Sequence, residues 1–422
     1  MLKKFVSTLG IRAFAAFINL AIAILLSQFL GPAGKGIQSI ILTTISFILL
    51  FANFVGGATL VYLTPRFDTG KLLVPSYLWT ILMSLFSFAV LKSFHLVDSQ
   101  YIGHICLLSV INSVTSIHSN ILLGKQQVKK SNLLVLYQSL FLVISLFVLL
   151  VGFNIRNIHA YIIALYISLT LCMIFSVVYS WKIVLEIRLL PYTEYKPVVV
   201  EMFRLGMQNQ MAHITQLLSF RLSYYVLEEY KGASALGIFS NGISIAESIW
   251  LVAKSMALVQ YSVISNSSDR DESARLTIQL ASVCFFFSII LLVPLVLLPA
   301  GAYAWIFGTG FEGVKPVILT LAPGVAIYNL AIIFGHYFSG TGRYYRNTVV
   351  SSAGLAVSAI LYFMIIPRYS VAGAGLATSI SYIFTSLLFL WYFAKDYSNW
   401  WREIMPKRSE IHSVVSKLKS RF

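Results

Sequence analysis

Apolar runs of membrane-crossing length recur along the whole chain, separated by short connections that carry the polar, glycine and proline residues. The hydrocarbon core of a bilayer takes about 20 consecutive apolar residues of helix, and the runs predict helices over about 5–30, 37–64, 72–94, 101–124, 131–153, 159–181, 202–227, 235–264, 276–300, 316–340, 347–367 and 371–394. Gly31-Pro32, Pro65, Pro191, Pro299 and Pro367 punctuate them as chain breakers should. Ala21-Ile22-Ala23 fits a small-residue cleavage site superficially. The apolar run around it extends from near Phe5 to Leu30, long enough to span, and reads as the first helix. The longest polar connection, about 182–201, divides the helices into six and six. The predicted organisation is an N-terminal six-helix lobe (1–181), a connection (182–201), a C-terminal six-helix lobe (202–394) and a basic amphipathic tail (395–422).

Composition narrows the class. Hydrophobic residues make up 58% of the 422 positions and charged residues only 11%, with a mean hydropathy of +0.82. A water-soluble chain usually carries about a quarter of its residues as charges. Lipid demands that every backbone polar group be satisfied within the segment, and the runs are too long for barrel strands, so the expected fold is all-α and integral to the membrane. Disorder, collagen-like structure and a secreted disulfide scaffold are excluded. The three cysteines, Cys106, Cys172 and Cys284, each fall inside an apolar run and indicate neither a disulfide framework nor a metal site.

The net charge of +16 raises the question of nucleic acid, and its distribution answers it. With the N-terminus inside, 22 of the 31 Lys and Arg fall on the cytoplasmic side and five (Lys35, Arg156, Lys231, Lys315, Arg368) on the other. That bias follows the positive-inside rule, places both termini in the cytoplasm and requires no nucleic-acid partner. The tail interleaves basic residues with Trp400, Trp401, Ile404, Ile411 and Leu418, a pattern suited to lying on an anionic leaflet.

The halves repeat weakly. Gly31-Pro32-Ala33-Gly34-Lys35-Gly36-Ile37-Gln38-Ser39 follows the first helix, and Lys231-Gly232-Ala233-Ser234-Ala235-Leu236-Gly237-Ile238-Phe239-Ser240 follows the seventh. Helix 4 ends in Leu123-Gly124-Lys125 before Lys129-Lys130, and helix 10 in Ser339-Gly340-Thr341-Gly342-Arg343 before Arg346-Asn347. Repeats of six helices share one orientation, so their pseudo-axis runs along the membrane normal, which predicts two pseudo-symmetric lobes around a central cavity and suits alternating access.

With the Leu30-Gly31-Pro32-Ala33-Gly34-Lys35-Gly36 turn, the Leu123-Gly124 helix end and Val371-Ala372-Gly373-Ala374-Gly375-Leu376-Ala377-Thr378 opening helix 12, the chain resembles the polysaccharide-export branch of the multidrug/oligosaccharidyl-lipid/polysaccharide superfamily, and within it Wzx-type O-antigen flippases. The resemblance implies a flippase of the bacterial inner membrane. It would carry undecaprenyl-diphosphate-linked oligosaccharide units from the cytoplasmic to the periplasmic leaflet for O-antigen or other surface polysaccharide synthesis. The implied partners are that lipid-linked substrate and the bilayer, with a polysaccharide polymerase and chain-length machinery as further candidates. No cofactor is implied.

Ionisable residues inside a span cost about 2.5–3.5 kcal/mol on insertion scales and so mark candidate sites. Glu247 is the one acid deep in a predicted span, and Lys254 follows seven residues later, about two turns, on nearly the same face as Ser240 and Glu247. In the functional reading Lys254 attracts the substrate diphosphate and Glu247 exchanges a proton or positions the cation. In the structural reading the stripe bridges to a neighbouring helix. Arg12 in helix 1 and Arg221 in helix 7 suit a phosphate through the planar guanidinium fork, or reach toward the interfaces by snorkelling. Gln208, Asn209, Gln210, His213 and Gln216 form a polar series on helix 7 that could bond sugar hydroxyls or join helices, and His213 alone of them titrates near neutrality. Asn112, Thr115, Ser116, His118, Ser119 and Asn120 on helix 4 read similarly.

Enzyme chemistry finds no support: there is no phosphate-cradling loop, no paired histidines of a metalloprotease and no paired carboxylates deep in a span. The expected assignment is a transporter without catalytic or metal-binding residues. Two alternatives stay open, a drug or cation antiporter of the same fold and, in another class, a membrane polysaccharide polymerase or acyltransferase.

Overall fold

The structure is a computed structural model that describes residues 2–185, 191–267 and 269–397; within its helices the side chains of residues 2–13, Tyr192, Gln208 and Asn209 lie outside the description. All the regular structure among the described residues is helical. In chain order the helices are α1 (Leu2–Ala52), α2 (Gly57–Leu63), α3 (Thr69–Phe94), α4 (Ser99–Gly124), α5 (Val128–Phe147, with a π-helical end Val148–Gly152) and α6 (Ile158–Tyr179). There follow α7 (Trp181–Leu185), α8 (Tyr192–Ser248), α9 (Trp250–Ser265), α10 (Arg270–Leu297), α11 (Ala300–Phe307), α12 (Val314–Gly340) and α13 (Tyr344–Asp396).

Three of these rods are each two helices joined without a loop. Gly31 (φ 66°, ψ −175°) divides α1, Gly232 (φ 80°, ψ 172°) divides α8 and Ser370 (φ 52°, ψ −134°) divides α13. Such dihedrals are open to glycine and strained for other residues, and Pro32, just after the first turn, has no N–H for the new helix to leave unpaired. Eight described rods are long and apolar enough to cross a membrane, and α8–α9, bent by 44° at Ile249, supplies a ninth. Divided at the three left-handed residues they give the twelve segments that the apolar runs predict.

Helix starts use the few acids. Asp68 accepts a hydrogen bond from the Gly70 amide, Asp98 from that of Gln100, and Asp269 from those of Asp271 and Glu272, while Asn157 does the same for α6. These caps satisfy orphan amides and place negative charge at the positive end of the helix dipole.

The chain clusters into two compact units, Met1–Ile214 and Thr215–Phe422. Within the first, Leu26, Ile41, Leu60, Leu72, Ile105, Leu122 and Cys172 form the fully buried interior. The second predicted helix breaks between Ala52 and Gly57, and α3 compensates: Ser76 donates to the Val55 carbonyl at 2.8 Å and the Trp79 indole to that of Phe51 at 3.0 Å. A freed backbone group at membrane depth needs such a partner. Against this break lies Gly206, where a Cβ atom would stand 1.8 Å from the Phe54 carbonyl oxygen, so only glycine fits.

The second unit packs through small residues, as membrane helices do. Gly324 of α12 lies against Ser379 of α13, whose hydroxyl accepts from the Gly324 amide at 2.8 Å, and Gly375 meets Thr320. Val317, Ile318, Val325, Ile333 and Phe338 fill the space behind. Outward, Leu85, Ile290, Leu297 and Phe363 are more than half exposed. In water such a surface would aggregate; facing acyl chains it is the stable arrangement, and the molecule is a multi-pass membrane protein.

Candidate functional site

A meeting of charge and aromatic rings lies inside the second unit. Gly232 folds α8 back on itself, so Arg221 and Glu247, roughly three to four turns to either side, come level. The Arg221 guanidinium donates to both carboxylate oxygens of Glu247, Nη2 to Oε2 at 2.8 Å and Nη1 to Oε1 at 3.2 Å. This bidentate fork is the strong form of an ion pair. A third donor comes from α13, the Tyr382 hydroxyl, 2.7 Å from Glu247 Oε1. The pair is not sealed: the Arg221 side chain keeps 22% of its surface exposed and that of Glu247 13%.

Rings surround it. Trp250, Tyr328, Tyr382 and Phe220 have centroids 4.7–5.8 Å apart, and the Arg221 guanidinium lies 5.2 Å over Tyr224. Trp250 and Tyr382 are almost fully buried, with the indole N–H donating to the Val325 carbonyl at 3.0 Å and Gln216 donating to the Tyr328 hydroxyl at 3.4 Å. Low-dielectric walls strengthen every charge interaction inside them. The arrangement offers a guanidinium able to grip an oxyanion, a carboxylate that already occupies it, and aromatic faces of the kind on which sugar rings and cations pack.

The helix predicted over 235–264 bends by 44° at Ile249, between Glu247 and Lys254. Lys254 is exposed on α9 with its ammonium 5.6 Å over the Trp250 ring, while Glu247 turns to Arg221. The structure therefore joins Arg221 and Glu247 directly and sets Lys254 over Trp250 of the same aromatic cluster. His213 is exposed on α8, and Gln210 is buried beside Gly57. The Arg12 and Gln208 side chains, and the tail with Trp400 and Trp401, lie outside the described residues.

The rings are what the sequence reading passed over. Tyr224 is 4% exposed beneath Arg221, and nothing in its spacing marks it, Trp250 or Tyr382 among 60 aromatic residues.

Polar networks in the first unit are of another kind. His118 of α4 bonds the Tyr77 hydroxyl at 2.7 Å and the Ser180 hydroxyl at 2.5 Å, and is 1% exposed. Lys35, expected in a solvated loop, is 6% exposed and donates to Gln38 at 2.5 Å, which in turn donates to Tyr161 at 3.3 Å. The Gly31 turn has no loop, so the residues after it enter the packed helix at once. Among the described residues no three His, Cys, Asp or Glu side chains converge as metal ligands.

No protein-family model matches the chain. Two curated proteins do. The capsular polysaccharide biosynthesis protein CapF of Staphylococcus aureus is 27% identical over 173 residues, 40% of this chain and 43% of that one. An uncharacterized membrane protein of Methanocaldococcus jannaschii is 22% identical over 298 residues, 68% of this chain and 57% of that one. The chain thus spans about half the length of the curated relatives it matches. Solved structures extend the likeness to nearly the whole chain. An inward-facing multidrug resistance MATE family transporter of the MOP superfamily has a TM-score of 0.73 at 13% identity, covering 92% of this chain and 96% of that one. The lipid II flippase MurJ in an inward closed conformation has a TM-score of 0.75 at 14% identity, covering 92% and 87%. The fold is theirs. At such identity the likeness extends to architecture, twelve helices crossing a membrane, which is the fold that the repeat of six and six predicts.

Proposed function

We propose that the protein is a flippase. It moves undecaprenyl-diphosphate-linked oligosaccharide units from the cytoplasmic to the periplasmic leaflet of a bacterial inner membrane, for O-antigen or another surface polysaccharide. The observation that carries this reading is the Arg221–Glu247 pair set in rings, with Lys254 across the cluster. A diphosphate joined to sugars needs cationic forks and flat apolar faces together, in a place where the polyprenyl tail can stay in lipid. The fold shared with a lipid II flippase and the match to a capsular polysaccharide protein support the same substrate class. Alternating access by the lobes 1–181 and 202–394, termini in the cytoplasm and a downstream polymerase with chain-length machinery belong to this reading. So does a contribution from Arg12, Gln208 and His213.

The drug or cation antiporter fits less well. A cation site needs a carboxylate at liberty, and Glu247 already holds an arginine in both its oxygens. A polymerase or acyltransferase would need an acid–base pair or nucleophile that this cluster does not present.

The test is deletion of the gene in its source strain, followed by assay of surface glycan and of the leaflet position of the lipid-linked precursor. Precursor stranded on the cytoplasmic face with surface glycan lost is the expected result. Normal glycan together with sensitivity to cationic drugs replaces this reading with the antiporter, and precursor that flips but stays unpolymerised replaces it with the enzyme.

A further inference from the structure

Of the five N–H donors of Arg221, the end-on pair from Nη1 and Nη2 is held by Glu247, and Nη1 also donates to the Phe220 carbonyl at 3.3 Å. A carboxylate and a phosphate present the same kind of group to a guanidinium, two oxygens on one centre. Glu247 is therefore shaped as an internal substitute for the ligand that the cluster suits. Tyr382 adds a second feature. Its hydroxyl holds Oε1 of Glu247 from α13, on a different element from the α8 arms that carry the ion pair, so the carboxylate has a partner that remains when arginine lets go. The pair is also partly exposed, which a purely structural bridge sealed in a core would not be.

We propose that the site is self-occupied: Glu247 blocks Arg221 against a diphosphate group, and the ligand enters by displacing the carboxylate, which Tyr382 retains. This deepens the flippase reading and rests on it. The displacement sets a threshold. Anions that make one oxygen contact do not compete with a bidentate carboxylate, whereas a diphosphate, with oxygens for both Arg221 and Lys254, does. A resting site closed by its own side chain also keeps stray cytoplasmic anions out of a cationic passage.

The arithmetic follows from competition. Apparent affinity equals intrinsic affinity reduced by the fraction of molecules in which Arg221 is free. A charged bidentate hydrogen bond is strong enough to hold that fraction at roughly a tenth or below.

The experiment is binding by the full-length protein in nanodiscs of phosphatidylethanolamine and phosphatidylglycerol, titrated in one arm with inorganic pyrophosphate and in the other with undecaprenyl diphosphate in the disc. Glu247→Gln keeps the shape and an acceptor for Tyr382 but removes the charge, and it is expected to bind both probes on the order of tenfold more tightly than the unaltered protein. Tyr382→Phe, a milder change that takes from Glu247 the partner it keeps when Arg221 lets go, is expected to weaken binding by about threefold. Arg221→Lys is expected to bind weakly whatever stands at residue 247. A gain by Glu247→Gln in the lipid arm larger than in the pyrophosphate arm assigns the site to the lipid headgroup; equal gains assign it to the diphosphate alone.

If the unaltered protein binds through Arg221 and Glu247→Gln is no tighter, self-occupation is wrong while the flippase reading stands. Should no form bind either probe, or all bind equally regardless of residue 221, both fall. Where Glu247→Gln does not fold, Tyr382→Phe decides: unchanged or tighter binding overturns the proposal.

Discussion

The two halves of the molecule repeat their turns and differ in where each admits polarity. In the register set by Gly31 and Gly232, Ile37 and Ile238, and Ser39 and Ser240, the buried Lys35 and Gln38 of the first unit stand where the second has Leu236 and Phe239, both fully buried. Conversely, Arg221 and Glu247 of the second unit stand where the first has the exposed Leu20 and Ser46, whose hydroxyl bonds only to its own helix. Tyr382, which holds Glu247, and Tyr166, which bonds His104 at 3.0 Å, fall at matching places if Gln126 is set against Gly342 and Asn154 against Ser370, the left-handed residues that follow the fourth and fifth helices of each half. One scaffold thus carries two chemistries. In the first unit the buried Lys35 and His118 meet uncharged partners, and the Lys71–Glu194 and Arg204–Glu201 pairs are on more exposed side chains, an arrangement that holds helices together. The second keeps a pair of opposite charges partly open, an arrangement that can be exchanged.

If that contrast is sound, breaking the second unit's pair should hurt most. Arg221→Ala leaves Glu247 without its counter-charge, and loss of export together with a destabilisation of about 2–3 kcal/mol is expected, the pair being partly exposed rather than sealed. Complementation for surface glycan and thermal unfolding in detergent read both. In the first unit His118→Leu orphans the Tyr77 hydroxyl, while that of Ser180 keeps the Ser176 carbonyl, and should cost about 1–2 kcal/mol while export per folded molecule is unchanged; a loss of export at normal protein level would give the first unit a role in exchange after all. Ser370→Gly relieves a left-handed backbone and should raise stability by about 1 kcal/mol, seen as a higher unfolding temperature. Lys35→Met with Gln38→Leu converts the first unit's polar turn to the apolar chemistry of the second, and the expected shift is within about 1 kcal/mol with export retained. Smallest in stability is Lys254→Gln, within about 0.5 kcal/mol as for an exposed residue, yet with export lowered.

The helices were legible because lipid leaves the chain no choice. Each span must be apolar and continuous for about 20 residues, so their number, order and the Gly31-Pro32 turn could be read directly. Where the helices bend was not legible. Nothing in the run 235–264 marks Ile249 as a break. The partner of Glu247 was hidden for a related reason. Arg221 was recognised as an ion inside a span, but which ion meets which depends on how far α8 travels before Gly232 reverses it and on the roll of each arm. Burial of Lys35 was missed because a glycine-rich stretch suggests a loop, whereas a single left-handed residue suffices to turn the chain.

That economy at Gly31, Gly232 and Ser370 has a practical side. A reversal made by one residue has no slack, and an inserted peptide there would have to be taken up by the helices themselves. Tags for mapping which face of the membrane each segment meets belong instead at 153–157 or 308–310, where the chain runs between helices ahead of the buried Phe311. A scan of such insertions should return protein at normal levels from those two connections and almost none from the three abrupt turns, drawing the outline of the fold in cell extracts before any of its chemistry is assayed.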